Sequence, residues 1–215
     1  MRMALFDFDG TLCPGDSIVP YLRLCVREGL APKAQWLRAG LGYILQRLRL
    51  IPVSKAKAMT LSFIRGRSRE EMDALARRFF REELLPRCHP EGLREIRRLR
   101  NEGIRVAVIS ASPEVYMRVL PEFVKVDAVL ATPCEEDLKG LYTGEVGSNC
   151  RGEEKVRRVR EAWPDAEIVT AYGDSRGDLP MLAMADRAVL VNAGGRLASK
   201  AGVSTVTWRE EADRC

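Results

Sequence analysis

A chain of 215 residues, 46% hydrophobic and 30% charged, can bury one sizeable core, and this composition excludes low complexity and disorder. The net charge of +5 is uneven: Ser17–Arg87 carries 15 Lys or Arg against 6 Asp or Glu, the remainder 20 against 24. Such a basic segment suits anionic ligands or lipid surfaces; the few aromatics do not interleave with it, which places nucleic acid last among partners.

The six cysteines are scattered without a CxxC pair, which argues against a zinc ribbon or a disulfide scaffold and for free thiols in a reducing compartment. No apolar run approaches the ~18 residues of a membrane span and no signal peptide precedes the first strand, so a cytoplasmic protein is expected.

In chain order, Met3–Phe8 reads as a buried strand. From Ser17 to about Pro86 the pattern is helical, with Tyr21, Leu22, Leu24 and Cys25 on one face and Trp36, Leu37, Gly40, Leu41, Ile44, Leu45 and Leu48 on another. Pro20, Pro32, Pro52 and Pro86 divide this region into several helices. After Pro90 come a helix (Glu91–Asn101), a strand (Ile104–Ile109), a helix (Pro113–Leu120) and a strand (Ala128–Ala131). A short β excursion at Leu138–Val146 follows, then a helix (Glu153–Trp163), a strand (Glu167–Tyr172), a helix (Leu179–Ala185) and a strand (Ala188–Val191). Alternating βα units predict an α/β fold, a doubly wound, mostly parallel sheet with the 70-odd helical residues inserted after its first strand.

In such folds ligands gather at the carboxyl ends of the strands, and the polar clusters fall there. The first strand ends in Asp7-Phe8-Asp9, where positions i and i+2 share a face. Another ends in Ser110-Ala111-Ser112 before a helix start, which offers a hydroxyl and free N–H groups to an anion. A third runs into Gly173-Asp174-Ser175-Arg176-Gly177-Asp178, and Lys155 opens the helix before it. An acid after a strand is often only a cap or turn residue. Two acids at the end of a buried strand have little structural use, because burying adjacent carboxylates costs several kcal/mol unless a cation compensates. Hard oxygen ligands around one point suit Mg²⁺ with a phosphate.

Asp7-Phe-Asp9-Gly-Thr11, Ser110, Lys155 and Gly173-Asp174-Ser-Arg-Gly-Asp178 resemble, in order, the four motifs of the haloacid dehalogenase (HAD) superfamily. The insertion after the first motif resembles the helical C1 cap of its phosphoserine phosphatase-like branch, subfamily IB. The resemblance implies a Rossmann-like core at 1–16 and 87–215, a cap at 17–86, and a Mg²⁺-dependent phosphatase acting through an aspartyl-phosphate. It implies Asp7 as nucleophile, Asp9 as general acid and base, and Ser110, the Ala111 backbone and Lys155 as phosphate-binding groups. Asp7, the Asp9 carbonyl and Asp174 would hold the metal, and Asp178 would support the site and Lys155. Departures bear on the substrate: Ala111-Ser112 stands where that branch has Gly-Gly, Gly177 where Asn is common, and Asp16 where a Glu meets the substrate amine. Asp16 is therefore the candidate substrate residue, or only the cap of the first inserted helix.

A small phosphate ester is the expected substrate, with phosphoserine among the possibilities. A second branch of the subfamily acts on phosphatidylglycerophosphate, and the basic, apolar stretch from Gln35 to Arg49 would suit an anionic lipid interface. Packing of its apolar face on neighbouring helices is the plainer expectation. From another class, the chain would be a phospho-ligand binding protein without turnover. His89 falls at the junction of insertion and core, away from the motifs, and no catalytic role is expected of it.

Overall fold

The computed structural model describes residues 1–194, 197, 199 and 203–209. The apolar run after Met1 forms β1 (Arg2–Phe6), which ends just before the acidic pair rather than running to Phe8. The Asp7 N–H still donates to the Tyr172 carbonyl at 2.9 Å, so the ladder holds the first acid in place. The chain then turns back on the Phe8 carbonyl, which accepts from the N–H groups of Leu12 and Cys13 at 2.9 and 3.0 Å.

The insertion consists of α1 (Ile18–Arg27), α2 (Gln35–Arg47), α3 (Val53–Leu61) and α4 (Arg69–Phe79). The start of α4 is set by a capping box, in which Ser68 accepts from the Glu71 N–H and Glu71 from the Ser68 N–H. Tighter and wider turns over residues 80–87 return the chain to the core.

The core continues with α5 (Pro90–Asn101), β2 (Arg105–Pro113), α6 (Glu114–Met117) and β3 (Ala128–Thr132). A hairpin of β4 (Cys134–Glu136) and β5 (Tyr142–Val146) precedes α7 (Glu153–Ala162), β6 (Glu167–Gly173), α8 (Leu179–Leu182) and β7 (Arg187–Val191). A further strand, β8 (Ser204–Val206), was not expected from the pattern. The main sheet runs β3-β2-β1-β6-β7-β8 with every pairing parallel, the α/β fold expected of a Rossmann-like core. The chain runs outward from β1 through β2 to β3, then crosses to β6 on the other side of β1 and on to β7 and β8, so the crevice opens above β1.

Alternation along β1 divides the core. Ala4 and Phe6 enter the larger cluster with Tyr21, Phe79 and Tyr116, while Met3 and Leu5 enter the opposite one with Val159, Met181 and Leu182. Rings of Tyr21, Phe79 and Tyr116, with centroids 4.6–5.5 Å apart, join α1 and α4 of the insertion to α6 of the core.

Two further expectations change. The strand over Ile104–Ile109 runs on to Pro113, with a register shift against β3 between Ile109 and Pro113, and the following helix shrinks to four residues. Ser110 and Ala111 therefore present backbone from an irregular strand end, not from a helix N-terminus. In α2 the buried residues are Gln35 and Gly42, and Leu37, Leu41, Ile44 and Leu48 lie exposed rather than packed on neighbouring helices. Close approach to α3 explains this, because a Cβ on Gly42 would lie 3.2 Å from the Ala56 carbonyl oxygen. The side of α2 that lies against α3 is the one without bulk. The five described cysteines carry free, buried thiols, and Cys215 lies outside the described residues.

Candidate active site

A cavity of about 430 Å³ opens where β1, β2 and β6 end, of a size for a small ligand. It brings together Asp7, Asp9, Asp16, Ser110, Ala111, Lys155, Asp174 and Asp178, every residue singled out from sequence. Asp7 is held by Lys155, whose Nζ lies 2.5 Å from Asp7 Oδ1 and 2.6 Å from Asp178 Oδ1. Lys155 stands in the first turn of α7 and is 1% exposed. Burial disfavours its charge, but the two carboxylates outweigh that cost and hold it protonated, at about 12.

Burial pushes Asp7 up to about 6, although Lys155 pulls against it. Asp178 is also buried, yet Lys155 and the Ser175 hydroxyl and N–H keep it below the usual carboxylate range. Asp174 is raised by burial and then by the charges of Asp7 and Asp178. Its carboxylate sits against Gly10, where φ is +80° and a Cβ would come 2.2 Å from Asp174 Oδ2. Only glycine accommodates both that backbone and that contact.

One oxygen from each of Asp7, Asp174 and Asp178 lies within 4.8 Å of the others. Lys155 answers two of these charges, and among the described residues no ion pair reaches Asp174. Three hard oxygen donors with a charge left over fit a divalent cation such as Mg²⁺.

The Asp9 side chain belongs to a different network. Its Oδ1 accepts from the Ser17 N–H at 3.1 Å, and its Oδ2 accepts from the Ser17 hydroxyl at 3.1 Å and from the Ser112 hydroxyl. Ser17 Oγ also lies 2.9 Å from the Tyr116 hydroxyl. Burial, and then the charge of Asp16, raise Asp9 to about 7. The two acids of the first motif are thus separated: Asp7 faces a cation, and Asp9 faces hydroxyls at a neutral poise.

Ser110 is buried, and its hydroxyl accepts from the Ser112 N–H at 3.0 Å. Asp16 Oδ1 accepts from the Ile18 N–H at 3.1 Å, so this residue caps the entry to α1 and also borders the cavity. His89 is buried outside the cavity lining, with its N–H donating to the Leu12 carbonyl at 2.8 Å.

Two charged lining residues were given no role in the site by the sequence reading. Lys57, from α3 of the insertion, donates to the Ala111 carbonyl and to Asn149 Oδ1, the latter at 2.5 Å. Burial lowers it to about 8. One lysine among 15 basic residues of a helical stretch carries no signal that would single it out. Arg151 borders the cavity beside Gly177, where a Cβ would come 2.4 Å from Arg151 Nε. Its signal was available in principle, since it lies in the loop just before Lys155.

A family description, haloacid dehalogenase-like hydrolase, matches residues 4–183, and the chain belongs to that family. Protein CicA of Caulobacter vibrioides is 32% identical over 191 residues, covering 86% of this chain and 83% of that protein. Phosphoserine phosphatase SerB1 of Mycobacterium tuberculosis is 30% identical over 213 residues, covering 92% of this chain and 67% of the relative. A crystal structure of a protein of unknown function from Bordetella pertussis Tohama I superposes with a TM-score of 0.82 at 24% identity, covering 95% of this chain and 97% of that one. Family and relatives together make the chain a phosphatase of this family, a phosphoric monoester hydrolase.

Proposed function

We propose that the chain hydrolyses a small phosphate monoester through an aspartyl-phosphate on Asp7, with residues 17–86 acting as a C1-type cap in the manner of subfamily IB. The observation that carries this reading is the Asp7 carboxylate, buried at a strand end and gripped by Lys155 beside two further acids. Family phosphatases generally use Mg²⁺, and here Asp7, Asp174 and Asp178 would hold it, with the Asp9 carbonyl as the further ligand implied by the first motif. When bound, the cation offsets the charge of the acids and of the phosphoryl oxygens.

Lys155 and the Ser110–Ala111 backbone would orient the phosphoryl group against Asp7. Asp7 Oδ attacks phosphorus and the ester bond to the leaving alcohol breaks. Asp9, near neutral poise, gives that alcohol its proton and afterwards takes one from the water that cleaves the acyl phosphate. Hydroxyls of Ser17 and Ser112 hold its carboxyl in position for both transfers.

The cavity suits a metabolite-sized ester; Asp16 at its rim would meet a cationic substituent, as in phosphoserine, and Lys57 and Arg151 an anionic one. A second reading, a phospholipid phosphate ester taken at a membrane surface, is favoured by the exposed apolar side of α2. A binder without turnover has no comparable support. Phosphate release from an aryl phosphate should require added Mg²⁺ and vanish in Asp7→Asn. Turnover surviving that substitution would refute the covalent route.

A further inference from the structure

The face of α2 turned away from the rest of the protein is the apolar one. Leu37, Leu41, Ile44 and Leu48 recur at spacings of four, three and four, so they line one side of the helix, and each is between 51% and 77% exposed. Trp36 and Tyr43 flank this stripe, 39% and 64% exposed. A surface helix normally turns such a stripe inward, and contiguous apolar exposure marks a contact with something else.

Two occupants fit a stripe of this spacing: a second copy of the helix, or the interfacial zone of a lipid bilayer. Charge decides between them. From Glu28 to Glu70 the chain carries nine Lys or Arg and not one acid between those two residues. Lys33, Arg38, Arg47 and Arg49 sit on or beside α2, all exposed and, among the described residues, none in an ion pair. Pairing two copies along this helix would set like charges against each other with no acid to answer them. An anionic surface answers these four, and each Lys or Arg near such a surface strengthens attachment. Leucines and isoleucine facing outward, flanked by Trp and Tyr and by basic residues, are the composition of a helix that lies in the bilayer interface.

The stripe also leads to the cavity. It continues past the end of α2 through Leu50, 67% exposed, to Val53, which opens α3 and lines the cavity itself. Among the described residues no helix is long and apolar enough to cross a membrane, so attachment would be along the surface.

We infer that the outer face of α2 docks the protein on anionic lipid surfaces, with the mouth of the cavity beside the bilayer. This docking holds whichever ester the site hydrolyses, and its test is kept separate from turnover. Purified full-length protein is sedimented with large vesicles of phosphatidylcholine alone or with about a third phosphatidylglycerol, at low and high salt. Binding is expected to the anionic vesicles, weakening with salt, and at least tenfold less to the zwitterionic ones. The double variant Leu41→Glu/Ile44→Glu changes only exposed positions. It should keep the native circular dichroism and the same aryl phosphate turnover without vesicles, and lose at least tenfold in vesicle binding. Arg47→Glu/Arg49→Glu should remove most of the salt-sensitive part. The inference is overturned if the wild-type protein stays in the supernatant of anionic vesicles, or if the Leu41/Ile44 variant binds as well as wild type. It is equally overturned if light scattering shows a dimer that this variant dissociates while vesicles capture neither protein. A protein that binds vesicles but releases no phosphate sinks the enzymatic reading and leaves the docking intact.

Discussion

Replacing the proposed nucleophile should make the metal-free protein more stable. Asp7 is held at about 6 instead of 3.8 because burial outweighs the help from Lys155. A folded pKa above the unfolded one means that the native state binds more protons between those values, so stability falls as pH rises across that window. Below pH ~4 both states are protonated and there is no penalty; above pH ~6 the penalty is complete, at ~3 kcal/mol. Asp7→Asn keeps the shape and removes the charge, while Asp178 still holds Lys155 at 2.6 Å. In EDTA at about pH 7.5 the variant should therefore gain up to ~3 kcal/mol in urea unfolding, or roughly 6–12 °C in Tm for a chain of this size. At about pH 4 the gain should shrink towards zero. A variant no more stable than wild type at neutral pH, or equally stabilised at both values, would refute the electrostatic account of the site.

Lys155→Met should do the reverse, since it strips the cation from between two buried carboxylates. A loss of about 3–5 kcal/mol in the same unfolding assay is expected, and added Mg²⁺ should restore part of it. Lys57, lowered to about 8 by burial, loses its charge above that pH, so kcat/KM for an aryl phosphate should decline there. In Lys57→Arg, whose cation persists to far higher pH, that decline should be absent. Asp16→Asn keeps an oxygen for the Ile18 N–H but removes the charge. If the substrate bears an amine, its KM should rise about tenfold with kcat little changed, whereas esters without an amine should be unaffected.

Lys57 and Lys155 show how far the chemistry was legible in the chain. Lys155 could be singled out because it opens a helix whose topology returns it to the crevice with the strand-end acids. Lys57 could not, because its position over Ala111 depends on how α3 rests on the core, and helical periodicity does not report that. Strand limits were misjudged for a similar reason. β1 stops at Phe6 because the chain turns back on the Phe8 carbonyl, and β2 persists through Pro113 across a register shift with β3. Local propensity sees neither event.

For α2 the periodicity was right and its direction was not. An apolar stripe records that a helix has two sides, but which side is covered depends on its neighbours, and α3 approaches the side of Gly42.

The parallel α/β core, the helical stretch after its first strand and the acids at its strand ends could all be read along the chain. Those features are written in short-range patterns: alternation, turn residues, and charges where a buried strand stops. That Asp7 shares Lys155 with Asp178, while Asp9 turns to Ser17 and Ser112, follows only from how the chain packs. Asp7 lies 148 residues from Lys155 and Asp9 103 from Ser112, so these partners meet only once the sheet has formed, and their placement then sets which carboxyl is ionised and which is poised near neutrality.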